Sequence, residues 1–168
     1  MPSPLAQDNQ LTGADGRYMR LAIDWSVTAR DRGNRPFGAV IVGQDGQIVA
    51  EAANQTSETG DCTAHAETAA IRIASPLFSR EVMAGATMYA SGEPCVMCAG
   101  AIFWANIQRV VFGIDAGRLR VFRGERLEQR DAELSCRDVF AGAPHPIQCI
   151  GPVMADEASA PHVGFWKV

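Results

Sequence analysis

The chain has 168 residues, 47% of them hydrophobic and 20% charged, the balance of a globular domain large enough to bury its own core. Its formal net charge of -4 argues against nucleic acid as the main partner. No run reaches the ~18 apolar residues that a membrane span requires.

Residues 1–13 are polar and hold two prolines, which predicts a loose N-terminal tail ahead of a single domain over residues 14–168. The opening "MPSPLAQDNQ" lacks the basic-then-apolar pattern of a secretory signal. From Arg17 to Ala29, Met19, Ala22, Ile23, Ser26 and Val27 recur at helical spacing, with Gly33 as the stop. "FGAVIV" and "QIVAEA", separated by "GQDG", predict an antiparallel hairpin. "NQTSETGDCT" reads as a polar loop, and "AHAETAAIRIA" as a helix ending before Pro76. "ATMYAS" predicts a strand, and "PCVMCAGAIFWA" a helix with proline at its first position. "RVVFGI" is a further strand, residues 120–140 are helical in part, and "PIQCIG" is a short extended segment. "PVMADEASAPH" predicts a last short helix before the aromatic tail "VGFWKV". Strands alternating with helices indicate an α/β domain, and the tight first hairpin makes its sheet mixed.

The arginines between Arg109 and Arg137 are interleaved with Asp115, Glu125, Glu128, Asp131, Glu133 and Asp138, which predicts a salt-laced solvated face. Five cysteines at irregular spacing make a poor disulfide framework and suit a reducing, cytoplasmic setting. His145 and His162 stand beside prolines and read as loop residues; Cys136 and Cys149 read as ordinary buried thiols.

Cys95 and Cys98 fall at the start of one helix. A helix N-terminus favours negative charge and lowers thiol pKa, so the pair suits a metal as thiolates. His65 begins the preceding helix and supplies a third ligand. A catalytic zinc keeps its fourth position open, and a nearby carboxylate that is not a ligand moves protons; Glu67 fits that role. A structural reading competes, because Cys62, three residues before His65, completes a closed Cys3His set. A core thiol pair and a redox pair are the remaining readings, and neither accounts for His65 and Glu67.

"HAE" followed by "PCVMC" resembles the cytidine-deaminase-like superfamily of zinc nucleobase deaminases over residues 17–114. That implies a three-layer α/β/α sandwich around a roughly five-stranded mixed sheet. It also implies one catalytic Zn2+ per chain on His65, Cys95 and Cys98, Glu67 as proton shuttle, a small-molecule nucleobase substrate and a homodimer. "PFGAVIV", "TAHAETAAIR" and "EPCVMCAGAIFWA" are most similar to the guanine deaminase branch. The tRNA adenosine deaminases share "EPCVMCAGA" and "RVVFG" but resemble the chain less at "IFWAN". Carried over by position, Phe37, Asn54, Ala66 and Trp104 line the base pocket, and the tail with Trp166 closes over a flat base. Asn54 also reads as a turn-fixing residue at a strand end. Past Arg118 the resemblance ends, and the acidic residue that guanine deaminases carry there has only Glu125 and Glu128 as positional candidates. The expected reaction is hydrolytic deamination, of guanine first. Cytosine, a nucleoside or tRNA adenosine are the alternatives within enzymes, and a noncatalytic zinc-stabilised binding domain is the alternative outside them.

Overall fold

The computed structural model describes residues 11–167, so most of the expected N-terminal tail lies outside the described residues. β1 (Gly38–Val42) and β2 (Ile48–Ala53) pair antiparallel as the hairpin signal predicts. Gly46 in their turn has φ of 80°, a conformation that a Cβ would disfavour. β3 (Thr87–Gly92) lies antiparallel to β1, β4 (Arg109–Ile114) runs parallel to β3, and β5 (Gln148–Ile150) runs parallel to β4. The sheet is therefore mixed and five-stranded, in the order β2-β1-β3-β4-β5.

The helices among the described residues are α1 (Asp15–Asp31), α2 (Thr56–Thr59), α3 (Ala66–Ala74), α4 (Arg80–Ala84), α5 (Val96–Trp104), α6 (Ala116–Arg123), α7 (Cys136–Ala141) and α8 (Ala155–Ser159). They cover both faces of the sheet. Along β1, Ala39 and Ile41 face one side, and Val40 and Val42 the other, as the two-residue strand period requires. Ala66, Ala70, Ala99, Ile102 and Phe140 of α3, α5 and α7 pack on the first side. Met19, Ala22, Ile23 and Ala158 of α1 and α8 pack on the second. The result is the three-layer α/β/α sandwich. A Cβ at Gly38 would overlap the Ala22 carbonyl oxygen and the Trp25 Cβ, so glycine lets α1 lie directly on β1.

Buried polar groups anchor the start of α1. The Asp15 carboxylate accepts from Arg109 at 2.9 and 2.8 Å and from the Tyr89 hydroxyl at 2.6 Å. The arginine-rich segment pairs with acids as its composition predicts: Arg118 with Asp156, Arg120 and Arg123 with Asp131, Arg126 with Glu128.

Three local features differ from the sequence expectation. The polar loop after β2 contains the four-residue α2, because the Asn34 Oδ1 accepts from the Ser57 and Glu58 N–H groups at its start. A helix not foreseen, α4, forms where the Ser79 side chain accepts from the Val82 N–H. His162 lies in a 3-10 turn (Ala160–His162) and is 1% exposed, not a loop residue.

Candidate metal and catalytic site

Two helix starts meet at the end of β3. His65 is the N-cap of α3, with φ -71° and ψ 159°, and Cys95 is the N-cap of α5, with φ -68° and ψ 173°. Pro94 therefore sits one residue ahead of the cap and not at the first helical position, because the Cys95 backbone is extended. That places Cys98 at the third helical residue, the position whose side chain meets the N-cap side chain across the first turn. The same arithmetic puts Ala66 and Glu67 at the first two residues of α3.

The His65 Nδ1 lies 3.6 Å from the Cys95 Sγ and 3.5 Å from the Cys98 Sγ. All three ligand atoms lie within 4.8 Å of one another. A tetrahedral zinc with ordinary Zn–N and Zn–S bonds separates such atoms by about 3.6 Å, so the donor set and its spacing fit zinc with a fourth position left over. Cys62 is exposed and stands outside this group, which removes the closed Cys3His arrangement.

The site's charges are strongly coupled. Burial pushes the Glu67 carboxyl up to about 7, the nearby Cys95 adds to the rise, and His65 opposes it. The Cys98 thiol, with His65, brings Cys95 down to about 4 against the effect of burial. Cys98 is raised by Cys95 and by burial, and the His65 imidazole is raised because Cys95 and Glu67 outweigh its burial. Glu67 is 6% exposed. A carboxyl that titrates near neutrality beside the ligand set is suited to taking up and returning protons.

Asn54 directly follows β2 and stands close in the fold to the segment before His65, since the Gln55 N–H next to it donates to the Ala64 carbonyl, one residue before His65. Its Oδ1 accepts from the Thr56 N–H at 3.1 Å and the Thr56 hydroxyl at 2.9 Å. Its Nδ2 has no acceptor among the described residues, so the turn-fixing and ligand-facing readings are compatible. Ala66 is fully buried at the start of α3.

Phe37 packs on the end of β3, where a Cβ at Gly92 would lie 2.9 Å from its Cε1. The C-terminal segment covers the other side of Phe37. The His162 ring stands edge-on to it at 5.1 Å, and Trp166 lies 6.3 Å away. Trp166 stacks on His162 at 7°, and its Nε1 donates to the His162 Nδ1 at 3.1 Å. The Arg123 guanidinium lies over both Trp166 and Phe37. Burial, with Arg123 and Arg30, pushes His162 down to about 3, so the ring is neutral and its proton is on Nε2. That Nε2 and the Arg123 Nε are buried donors with no partner among the described residues.

Sequence reasoning missed both donors. Arg123 was hidden in a charged segment, and His162 beside a proline; the His162–Trp166 spacing of four residues was the available signal. Trp104, expected in the pocket, is six residues past Cys98, about 9 Å along the helix axis, and is 76% exposed. This chain does not bring it to the ligand set. Glu125 and Glu128, the positional candidates for an acidic partner of a purine, are both exposed.

Residues 13–114 match the family described as the cytidine and deoxycytidylate deaminase zinc-binding region. The chain belongs to this family of zinc-dependent deaminases. It is 40% identical over 157 residues to a probable cytosine deaminase of Schizosaccharomyces pombe, covering 94% of this chain and 95% of the relative. The guanine deaminase of Bacillus subtilis is 45% identical over 80 residues, 48% of this chain and 51% of that protein. A solved structure from work on tRNA:A34 deaminases superposes with a TM-score of 0.70 at 32% identity, covering 87% of this chain and 99% of the other.

Proposed function

We propose that the protein hydrolytically deaminates a free nucleobase, with cytosine preferred over guanine. The observation that carries the reading is the match to the probable cytosine deaminase, which covers 94% of this chain and 95% of the relative. That match extends over most of the C-terminal third, whereas the guanine deaminase match spans about half the chain. Phe37, His162 and Trp166 pack together beside the end of β3, and Glu125 and Glu128, the candidates for a carboxylate that would hold guanine, are both exposed. Guanine is the second reading, supported by that 45% identity. A tRNA loop is disfavoured because Trp166, 7% exposed, is packed over Phe37.

When bound at His65, Cys95 and Cys98, zinc supplies the Lewis acidity that makes water a nucleophile at neutral pH. The Glu67 carboxylate accepts a proton from the attacking water. It passes that proton to the ring nitrogen beside the amino-bearing carbon, takes the second proton from the added hydroxyl as the carbonyl forms, and delivers it to the departing amine, which leaves as ammonia. The Asn54 Nδ2 donates to an acceptor on the base, Phe37 supports the ring, and Trp166 with the tail excludes bulk water.

The apolar outer face of α5 supports a homodimer. "VMCAGAIFW" has no charged residue, and Val96 and Trp104 are 38% and 76% exposed; such a helix is expected to be covered on all sides. Trp104→Arg is expected to shift the protein to monomer in sedimentation velocity. A cytoplasmic setting is proposed on the five free cysteines. The substrate test is ammonia release from cytosine, guanine, adenine, cytidine and an adenosine-containing tRNA stem-loop. Turnover of cytosine ahead of guanine, with the stem-loop inert, is expected; turnover of the stem-loop alone would overturn the proposal.

A further inference from the structure

Cys136 and Cys149 lie away from the metal ligands, and the deamination chemistry does not use them. Their Sγ atoms are 3.6 Å apart. We propose that the two thiols are an oxidative modification site, closing to an intramolecular disulfide on reaction with hydrogen peroxide.

Both backbones are already held in place. Cys136 opens α7 behind a capping box of Ser135 and Asp138. The Glu93 Oε1 accepts from the Ser135 hydroxyl at 2.7 Å and from the Cys136 N–H at 3.4 Å. Cys149 is the middle residue of β5, opposite Val110 of β4. An S–S bond requires the 3.6 Å gap to close to ~2 Å, and the proposal assigns that closure to rotation of the two side chains.

The two thiols are not equivalent. Cys136 is fully buried, and Cys149 is half-buried. The Arg137 guanidinium, which donates to the Gly151 carbonyl at 3.0 Å, stands near Cys149. The Cys136 thiol first, with Arg137, brings the Cys149 thiol down, while Cys149 and burial push Cys136 up. Accessibility and thiolate character therefore both make Cys149 the attacking sulfur. The Cys149 thiolate attacks one peroxide oxygen, the O–O bond breaks, and a protonated hydroxide leaves as water. The Cys149 sulfenic acid is then attacked by the Cys136 sulfur; the S–O bond breaks, and a second water leaves with the Cys136 proton. The thiol pair loses two electrons, and one hydrogen peroxide becomes two waters. A small-molecule thiol reverses the change by exchange.

The test uses the zinc-loaded full chain, treated with equimolar hydrogen peroxide, alkylated and digested with trypsin without reductant. Cleavage after Arg130, Arg137 and Lys167 puts Cys136 and Cys149 on separate peptides, residues 131–137 and 138–167. These peptides are expected joined, 2 Da lighter than their sum, and separated by dithiothreitol. The closed loop spans about 14 residues, so oxidation is expected to raise the Tm by roughly 6 °C. Cys149→Ser, or Cys149→Ala if the serine variant folds poorly, is expected to abolish the Tm rise. Unlinked peptides with Cys149 as sulfinic acid, both thiols still alkylated in the wild type, or linkage to a metal-ligand cysteine would each overturn the proposal.

Discussion

Asp15→Asn perturbs a buried ion pair, Asp15–Arg109, without touching the metal ligands. The Asp15 carboxylate receives hydrogen bonds from Arg109 (2.9 and 2.8 Å), Tyr89 (2.6 Å) and the Thr12 N–H (2.6 Å). Burial opposes its ionisation, but these partners outweigh burial and bring it from 3.8 to about 2. At about 1.4 kcal/mol per unit, that difference corresponds to about 2 kcal/mol of stability. Because the folded value lies below the unfolded one, the contribution is complete above pH 3.8 and is lost as the pH falls through 2. Asparagine also leaves the Arg109 guanidinium, 21% exposed, without its counter-charge, which raises the expected loss to about 3 kcal/mol. For a chain of this size that is a Tm lower by on the order of 10 °C. Arg109 and Thr87 begin their strands, whereas Cys95 follows the end of β3, so zinc content and kcat are expected to stay unchanged. Thermal unfolding of both proteins from pH 7 to pH 2 measures the effect. A Tm gap that is absent at pH 7, or one that persists undiminished at pH 2, contradicts the reasoning.

Two further predictions concern the site. Trp166→Ala removes the ring stacked on His162 and facing Phe37. KM is expected to rise about tenfold, with kcat changed less; an equal loss confined to kcat would contradict a substrate-binding role. Cys62→Ala is expected to retain one zinc per chain by atomic absorption, while Cys98→Ser loses zinc to a chelator at least about tenfold faster; equal retention by the two variants would contradict the assigned ligand set.

Much of the metal site was legible because its spacing is local. "PCVMC" and "HAE" each put their residues within one helix turn, and a helix start dictates what those side chains can reach. The strands were legible for a similar reason, since "FGAVIV" and "RVVFGI" are short apolar runs bounded by turn residues. The aromatic cluster was not. It joins Phe37, Arg123, His162 and Trp166 through tertiary packing, and no local period links positions 37, 123 and 162. The position of Trp104 shows the same limit from the other direction, because neighbourhood in sequence with Cys98 became about 9 Å of helix axis. α4 escaped notice because a five-residue helix shows less than two turns of periodicity.

The central claim is that Glu67 moves protons beside a catalytic metal and is not itself a ligand. Ammonia release by zinc-loaded Glu67→Gln, measured with zinc content and circular dichroism on the same sample, tests it most directly. The account predicts one zinc per chain, an unchanged fold and turnover lower by at least ~10³, as expected for loss of a general acid–base group. Turnover within a few-fold of wild type, or zinc lost together with activity, would contradict it.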